Sequence, residues 1–352
     1  MLPQILKKYR NHISALLRDF LEQKQVTFSE LNPWVTDALE RLKTYVSSGK
    51  LVRGSLVIIS NELFSVLHPD AVKLAAALEF IHAGLLIHDD IIDRDVTRRN
   101  LRAFHMQYYD LALTKKLIDP LHFGTSVGIG TADFLFFLGF ELINSITVPQ
   151  KQHDSINQVL TSELETVALA EFQDVVMAAN DILPEESDIL TLYRYKTGRY
   201  TFSLPLMLGG LLANQHTQVI NQLEELGENL GLIFQIKDDE IGLFGNSNKT
   251  GKPVGSDIAR GNKTLYYLYL TQTVTAAEKS RLSRQFGNPK ITLSDIAYVR
   301  QLVKQYHIDQ KINRQINLLE QKAFELIKLL PLSTASQKQL ISILDFSKNR
   351  TA

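Results

Sequence analysis

The segment from His88 to Arg99 reads HDDIIDRDVTRR and packs five acidic or imidazole groups and three arginines into twelve residues, directly after the apolar run Ala83-Gly84-Leu85-Leu86-Ile87. On a helix continued from that run, Asp89 and Asp93 lie one turn apart on one face, about 6 Å along the axis. Like charges so placed destabilise a helix unless a cation sits between them. Mg²⁺ suits the position, because it takes one or two protein carboxylates and fills its octahedron with phosphate oxygens and water. Arg98 and Arg99 just downstream would then hold the phosphates. A second acidic cluster closes a second apolar helix in Phe234-Gln-Ile-Lys-Asp238-Asp239-Glu-Ile-Gly242, and Lys252 and Lys263 follow it in a glycine-rich loop. Either cluster alone also fits an ordinary helix cap or solvated face. Together, with two or three Mg²⁺ between opposed carboxylates and Arg98, Lys196 and Lys252 around them, they describe a receptor for a diphosphate.

The elements that must position these groups are helices. Apolar residues recur at three and four throughout, and no alternating runs flank a hairpin turn, so the spacing predicts an all-α bundle, one large domain over 1–352 around a central cavity. Residues 1–30 form an amphipathic N-terminal helix, read as packed on the protein's own core or on a second subunit in preference to a membrane surface. Asn32-Pro33 opens a helix to about Tyr45, and Lys50 and Arg53 lie three apart at the start of the next. His82 lies two turns before Asp89 on the same face. The nearly all-apolar stretch from Gly124 to Asn144 predicts a buried helix whose Asp133 needs a partner. Glu171 and Asp174 share a face, and Lys196-Thr197-Gly198 is expected to kink or divide its helix. Residues 264–352 read as shorter helices without chemistry of their own.

Composition narrows the function classes. Lysine plus arginine equal aspartate plus glutamate at 38 each, which leaves no basic excess for a nucleic-acid backbone. With no cysteine, disulfides, thiolate metal sites and a cysteine nucleophile are excluded. Basic residues interrupt the first apolar residues, and no window approaches eighteen consecutive apolar residues, so neither a signal peptide nor an integral membrane segment is expected, and the location is read as cytoplasmic.

From about Ser48 to Lys263 the chain resembles the trans-isoprenyl diphosphate synthases of the polyprenyl synthetase family, in particular those of geranylgeranyl type. The family's first aspartate motif and arginine pair stand as Asp89-Asp90-Ile-Ile-Asp93 and Arg98-Arg99, its basic segment as Lys50 and Arg53, and its Lys-Thr pair as Lys196-Thr197. The second motif stands as Gln235 with Asp238-Asp239, followed by Lys252 and Lys263. The resemblance implies that Lys50, Arg53, His82 and Arg99 bind isopentenyl diphosphate, that Arg98, Lys196 and Lys252 hold an allylic diphosphate, and that Asp89, Asp93 and Asp238 bind Mg²⁺. It also implies a homodimer and an all-trans product, formed by ionisation of the allylic diphosphate, attack by the isopentenyl double bond and loss of a proton. Three positions depart from the family pattern: Gly242 replaces the last aspartate of the second motif, Gly54 replaces a proline, and the Gln-x-x-Asp segment reads Glu171-Phe-Gln-Asp174. Ile81, Gly84 and Leu85 are expected to line the product cavity; an open wall at Gly84 implies a C20 or somewhat longer product, shortened by Gly84→Phe, with Phe134 and Phe137 as its floor. The competing readings are a terpene cyclase, an HD-type metal phosphohydrolase, and a non-catalytic subunit of a heteromeric synthase.

Overall fold

The computed structural model describes residues 2–99, 101–180, 182–245 and 254–350. Helices dominate, as the apolar spacing requires. Strands do occur: Thr97–Arg98 (β1) and Leu101–Arg102 (β2) pair antiparallel. This small hairpin follows from two left-handed residues, Arg94 at φ 57° and Arg99 at φ 53°, which turn the chain sharply just after the first acidic motif.

The residues group into two compact units, Met1–Asn157 with Leu208–Asn214, and Gln158–Met207 with Gln215–Ala352. The first is built from α1 (Leu2–Phe28), α2 (Trp34–Ser47), α3 (Val52–Phe64), α4 (Ala71–Ile92), α5 (Phe104–Thr114), α6 (Pro120–Asn144) and the start of α7 (Gln150–Ala179). The amphipathic face of α1 buries Tyr9, Ile13, Leu17 and Leu21, and α1 packs on α2, α3 and α4, so its apolar stripe serves the core of its own unit. Asp119 caps α6 by accepting from the His122 N–H at 3.2 Å, and Pro120 sits at the first helical position, where its missing N–H costs nothing.

Helices α4 and α6 make the most extensive packing of this unit. Both are long and apolar enough to cross a membrane, yet 67% of the apolar window of α4 and 44% of that of α6 are buried in the protein. The lower value for α6 corrects the expectation of a fully buried helix. Leu135, Leu138 and Leu142 face inward, while Ile129, Asp133 and Phe137 face outward.

The second unit comprises the rest of α7, then α8 (Glu186–Leu192), a π-helical segment Tyr193–Ser203, α9 (Leu204–Leu212, shared with the first unit), α10 (Thr217–Phe244), α11 (Ser256–Arg260), α12 (Leu265–Thr273), α13 (Ala276–Gln285), α14 (Leu293–Gln305), α15 (Ile308–Leu329) and α16 (Thr334–Asn349). Capping boxes start α13 at Thr275 and Glu278 and α14 at Thr292 and Asp295. The expected break at Lys196-Thr197-Gly198 is instead a widening: the helix continues without interruption, and the Leu204 N–H reaches back to the Arg199 carbonyl. The cause is a backbone crossing. Gly198 and Gly231 of α10 meet with no side chain between them, and Gly227 lies equally close to Ser203.

Candidate active site

In the first unit α4 delivers the acidic motif and β1 folds an arginine back onto it. Asp93 caps α4, its N–H donating to the Asp89 carbonyl at 2.8 Å. Asp89 is half-buried and Asp90 fully buried. Arg98 spans both, with Nη2 donating to Asp89 Oδ2 at 2.6 Å and Nε to Asp90 Oδ1 at 2.5 Å. Burial pushes the Asp90 carboxyl up to about 7, against the pull of Arg98. For Arg98, burial is outweighed by the charges of Asp90 and Asp89, so the guanidinium is held above its ordinary range. Asp90 therefore orients Arg98, while Asp89 and Asp93 remain the outer carboxylates.

A second group of cations gathers beside it. Leu51, left-handed at φ 49°, starts α3 and sets Arg53 against α4, where Arg53 Nη1 lies 2.9 Å from His82 Nε2. Burial, reinforced by Arg53, Arg99 and Arg98, drives the His82 pKa well down. The imidazole is therefore neutral and Nε2 accepts from the guanidinium. Arg99 extends along Gly49, where a Cβ would come within 2.7 Å of its Nη1, and donates to Ser48 Oγ at 3.4 Å; Lys50 is exposed alongside. The glycine at position 54 has a local reason: its N–H donates to the buried Glu79 carboxylate at 2.7 Å, a bond that proline could not make.

The apolar residues before the motif correct the expected cavity wall. Gly84 is a contact point, because a Cβ there would meet the Ala132 carbonyl and the Phe136 ring, each at 2.8 Å. Ile81 is likewise engaged with α6, lying 2.5 Å from where a Gly139 Cβ would sit. Gly84→Phe would therefore drive α4 and α6 apart. Leu85 is half-buried, and Phe136 stacks edge-on against His88 with ring centroids 5.5 Å apart. Phe137 is 69% exposed and is no cavity floor within this unit, whereas Phe134 packs edge-on against Phe28. Asp133, expected to be buried, has a half-exposed side chain 3.7 Å from His88 Nε2.

In the second unit Lys196 leaves the π segment and pairs with both Glu171, at 3.0 Å, and Asp174. Thr197 is half-buried beside it. The two aspartates of the second motif divide their tasks. Asp239 is buried, accepts from Gln235 Nε2 at 2.9 Å and from the Tyr193 hydroxyl, and is pushed well up by burial and by neighbouring Asp257. Tyr193 in turn accepts from the Leu265 N–H at 3.2 Å, so Gln235 and Asp239 tie α10 to the π segment and α12. Asp238 is the half-exposed member, and Arg350 Nη2 donates to its Oδ1 at 3.0 Å. Gly242 is also accounted for: Asp257 Oδ2 lies 2.5 Å from where a Cβ at 242 would stand, so Asp257 occupies the space of the missing side chain. Lys263, expected at the diphosphate, is engaged elsewhere, donating to the Asn180 and Ile182 carbonyls after α7. Lys252 lies outside the described residues.

Sequence reasoning missed three features of this unit. Arg199 is clamped by Glu163, Glu224 and Glu228, a network that fixes the π segment to α7 and α10. Arg350 and Asp257 are the others. Their partners come from separate helices, which carry no spacing to recognise.

Among the described residues no three acidic or histidine groups converge closely enough to hold a metal by themselves. Within each unit the hard oxygen donors come in ones and twos, Asp89 and Asp93 in the first and Asp174 and Asp238 in the second, which fits Mg²⁺ arriving with phosphate oxygens and does not fit a closed all-protein cage. The polyprenyl synthetase family model matches residues 33–304. The chain belongs to the polyprenyl synthetase family. It is 29% identical over 280 residues to the short chain isoprenyl diphosphate synthase of Methanocaldococcus jannaschii, covering 75% of this chain and 80% of that one. It is 25% identical over 300 residues to the geranylgeranyl diphosphate synthase of Saccharolobus solfataricus, covering 85% and 82%. The geranylgeranyl pyrophosphate synthase of Corynebacterium glutamicum, solved with isoprenyl diphosphate and magnesium, superposes with a TM-score of 0.90 over 98% of this chain and 99% of that one, at 26% identity.

Proposed function

We propose that this polyprenyl synthetase is a Mg²⁺-dependent trans-prenyltransferase that condenses isopentenyl diphosphate with an allylic diphosphate to an all-trans product of C20 or somewhat longer. The observation that carries the reading is the pairing of outer carboxylates with cations, Asp89 with Arg98 and Asp174 with Lys196. Such pairs are complementary to a metal diphosphate: Asp89 and Asp174 would hold the metal, and Arg98 and Lys196 would hydrogen-bond the phosphate oxygens. Bound Mg²⁺ supplies positive charge that stabilises the departing diphosphate. Arg98, aimed by Asp90, and Lys196 would each offer hydrogen-bonded charge to a diphosphate. Arg53 and Arg99 beside neutral His82, together with Lys50, would hold the second diphosphate. No side-chain nucleophile is required, and the released diphosphate takes the proton lost from the new chain.

The cations around His82 favour a synthase over a terpene cyclase, which has no isopentenyl site to fill. An HD-type phosphohydrolase requires a converging histidine–aspartate cluster, and none occurs among the described residues. A cytoplasmic homodimer is the state we assign to the enzyme. The test gives purified protein Mg²⁺, isopentenyl diphosphate and, separately, dimethylallyl, geranyl and farnesyl diphosphates, and sizes the products by mass spectrometry. Growth to at least C20 is expected; no elongation from any primer would refute the reading.

A further inference from the structure

Arg350 follows the last turn of α16 and has no place in the motifs discussed above. Its side chain is nine-tenths buried, yet among the described residues one nitrogen alone is engaged: Nη2 donates to Asp238 Oδ1 at 3.0 Å, while Nε and Nη1 are buried with no hydrogen-bond partner there. The guanidinium carbon also stands 3.8 Å from the centroid of the Phe234 ring, one helical turn before Asp238 on α10. Burial lowers the Arg350 pKa, with Asp238 opposing it, but a guanidinium stays charged throughout the working range. A buried cation with two unmet donors is costly, and such groups mark a missing partner. The arrangement repeats that of Arg98 on Asp89 and Lys196 on Asp174, in which a carboxylate suited to a metal is held by a cation suited to phosphate.

We propose that Arg350 is a diphosphate-binding residue of the second acidic motif, parked on Asp238 and Phe234 until a metal diphosphate takes Asp238. The ligand is an anion that presents two or more phosphate oxygens together with a divalent cation. Phe234 holds the planar fork in place, so its Nε and Nη1 donors meet the incoming oxygens with little rotamer entropy to lose. The inference rests on the prenyltransferase reading, and wild-type elongation tests that reading separately.

The probe is inorganic diphosphate with Mg²⁺, titrated calorimetrically into full-length wild type, Arg350→Gln and Arg350→Lys, with thermal unfolding as a check on folding. Arg350→Gln should bind about tenfold more weakly, as expected for loss of a charge-assisted contact, and Arg350→Lys should recover part of the loss. In turnover, the KM for the allylic diphosphate should rise more than kcat falls. Unchanged affinity in Arg350→Gln would make the contact merely structural and overturn the proposal. Tighter binding would make Arg350 only a competitor of the metal, and would overturn it equally.

Discussion

In each unit the carboxylates divide their tasks by depth. Asp89 and Asp238 reach outward and pair with a single arginine nitrogen each, whereas Asp90 and Asp239, next to them in sequence, turn inward to orient Arg98 and to tie Tyr193 and Gln235. The motif spacing made the metal-facing positions legible, because helical periodicity says which residues share a face. It did not reveal what each inner aspartate holds, since the partners come from other segments. Glu79 allows a test of burial at this scale. Burial raises its pKa, opposed by the Gly54 N–H and Arg53. The folded protein therefore binds a proton that the unfolded chain, titrating near about 4.3, has released, and the stability so contributed is present below that value and lost as pH rises above it. Glu79→Gln keeps the shape and the acceptor for Gly54 but removes the titration. Between pH 5 and pH 8 the Tm of wild type should fall relative to that of Glu79→Gln; a constant gap would show that Glu79 ionises as freely as in the unfolded chain.

Helix contacts, at the next scale, set both rigidity and product space. The crossing of the π segment with α10 admits no Cβ at Gly231, so Gly231→Ala should destabilise the protein by more than about 4 kcal/mol, in the class of severe overpacking, with a matching drop in denaturation midpoint. A loss under about 1 kcal/mol would mean that the two backbones separate easily. The π segment itself was not legible, because its register depends on the glycine contact and on the clamp around Arg199, neither of which has a local sequence signature. The same limit applied to Gly84. From sequence, a missing side chain reads as open space, but here α6 closes over it and Phe136 fills the surface. Phe136→Ala should therefore lengthen the prenyl product by at least one isoprene unit, read by mass spectrometry, and an unchanged distribution would remove Phe136 from the cavity wall.

For the whole molecule, the periodicity of apolar residues gave the all-helical class directly, and the family match at residues 33–304 runs through both compact units. Composition could not tell which faces stay outside. The outward side of α6 carries Ile129 and Phe137, 44% and 69% exposed, which suits the proposed self-association. Phe137→Glu should convert the dimer to a monomer by light scattering, and a monomeric wild type would end that assignment. Zero net charge leaves the acidic and basic groups of the sites to neutralise one another within the protein, as Arg98, Lys196 and Arg350 do. The proposed reaction requires those ion pairs to exchange partners when metal and diphosphate enter together. Calorimetry on the wild-type protein tests this most directly, by titrating Mg²⁺ alone, inorganic diphosphate alone in chelator, and the two combined. Binding of the pair should be at least about tenfold tighter than that of either component, since each alone breaks an ion pair without completing its replacement. Equal affinity for diphosphate with and without Mg²⁺ would contradict the exchange.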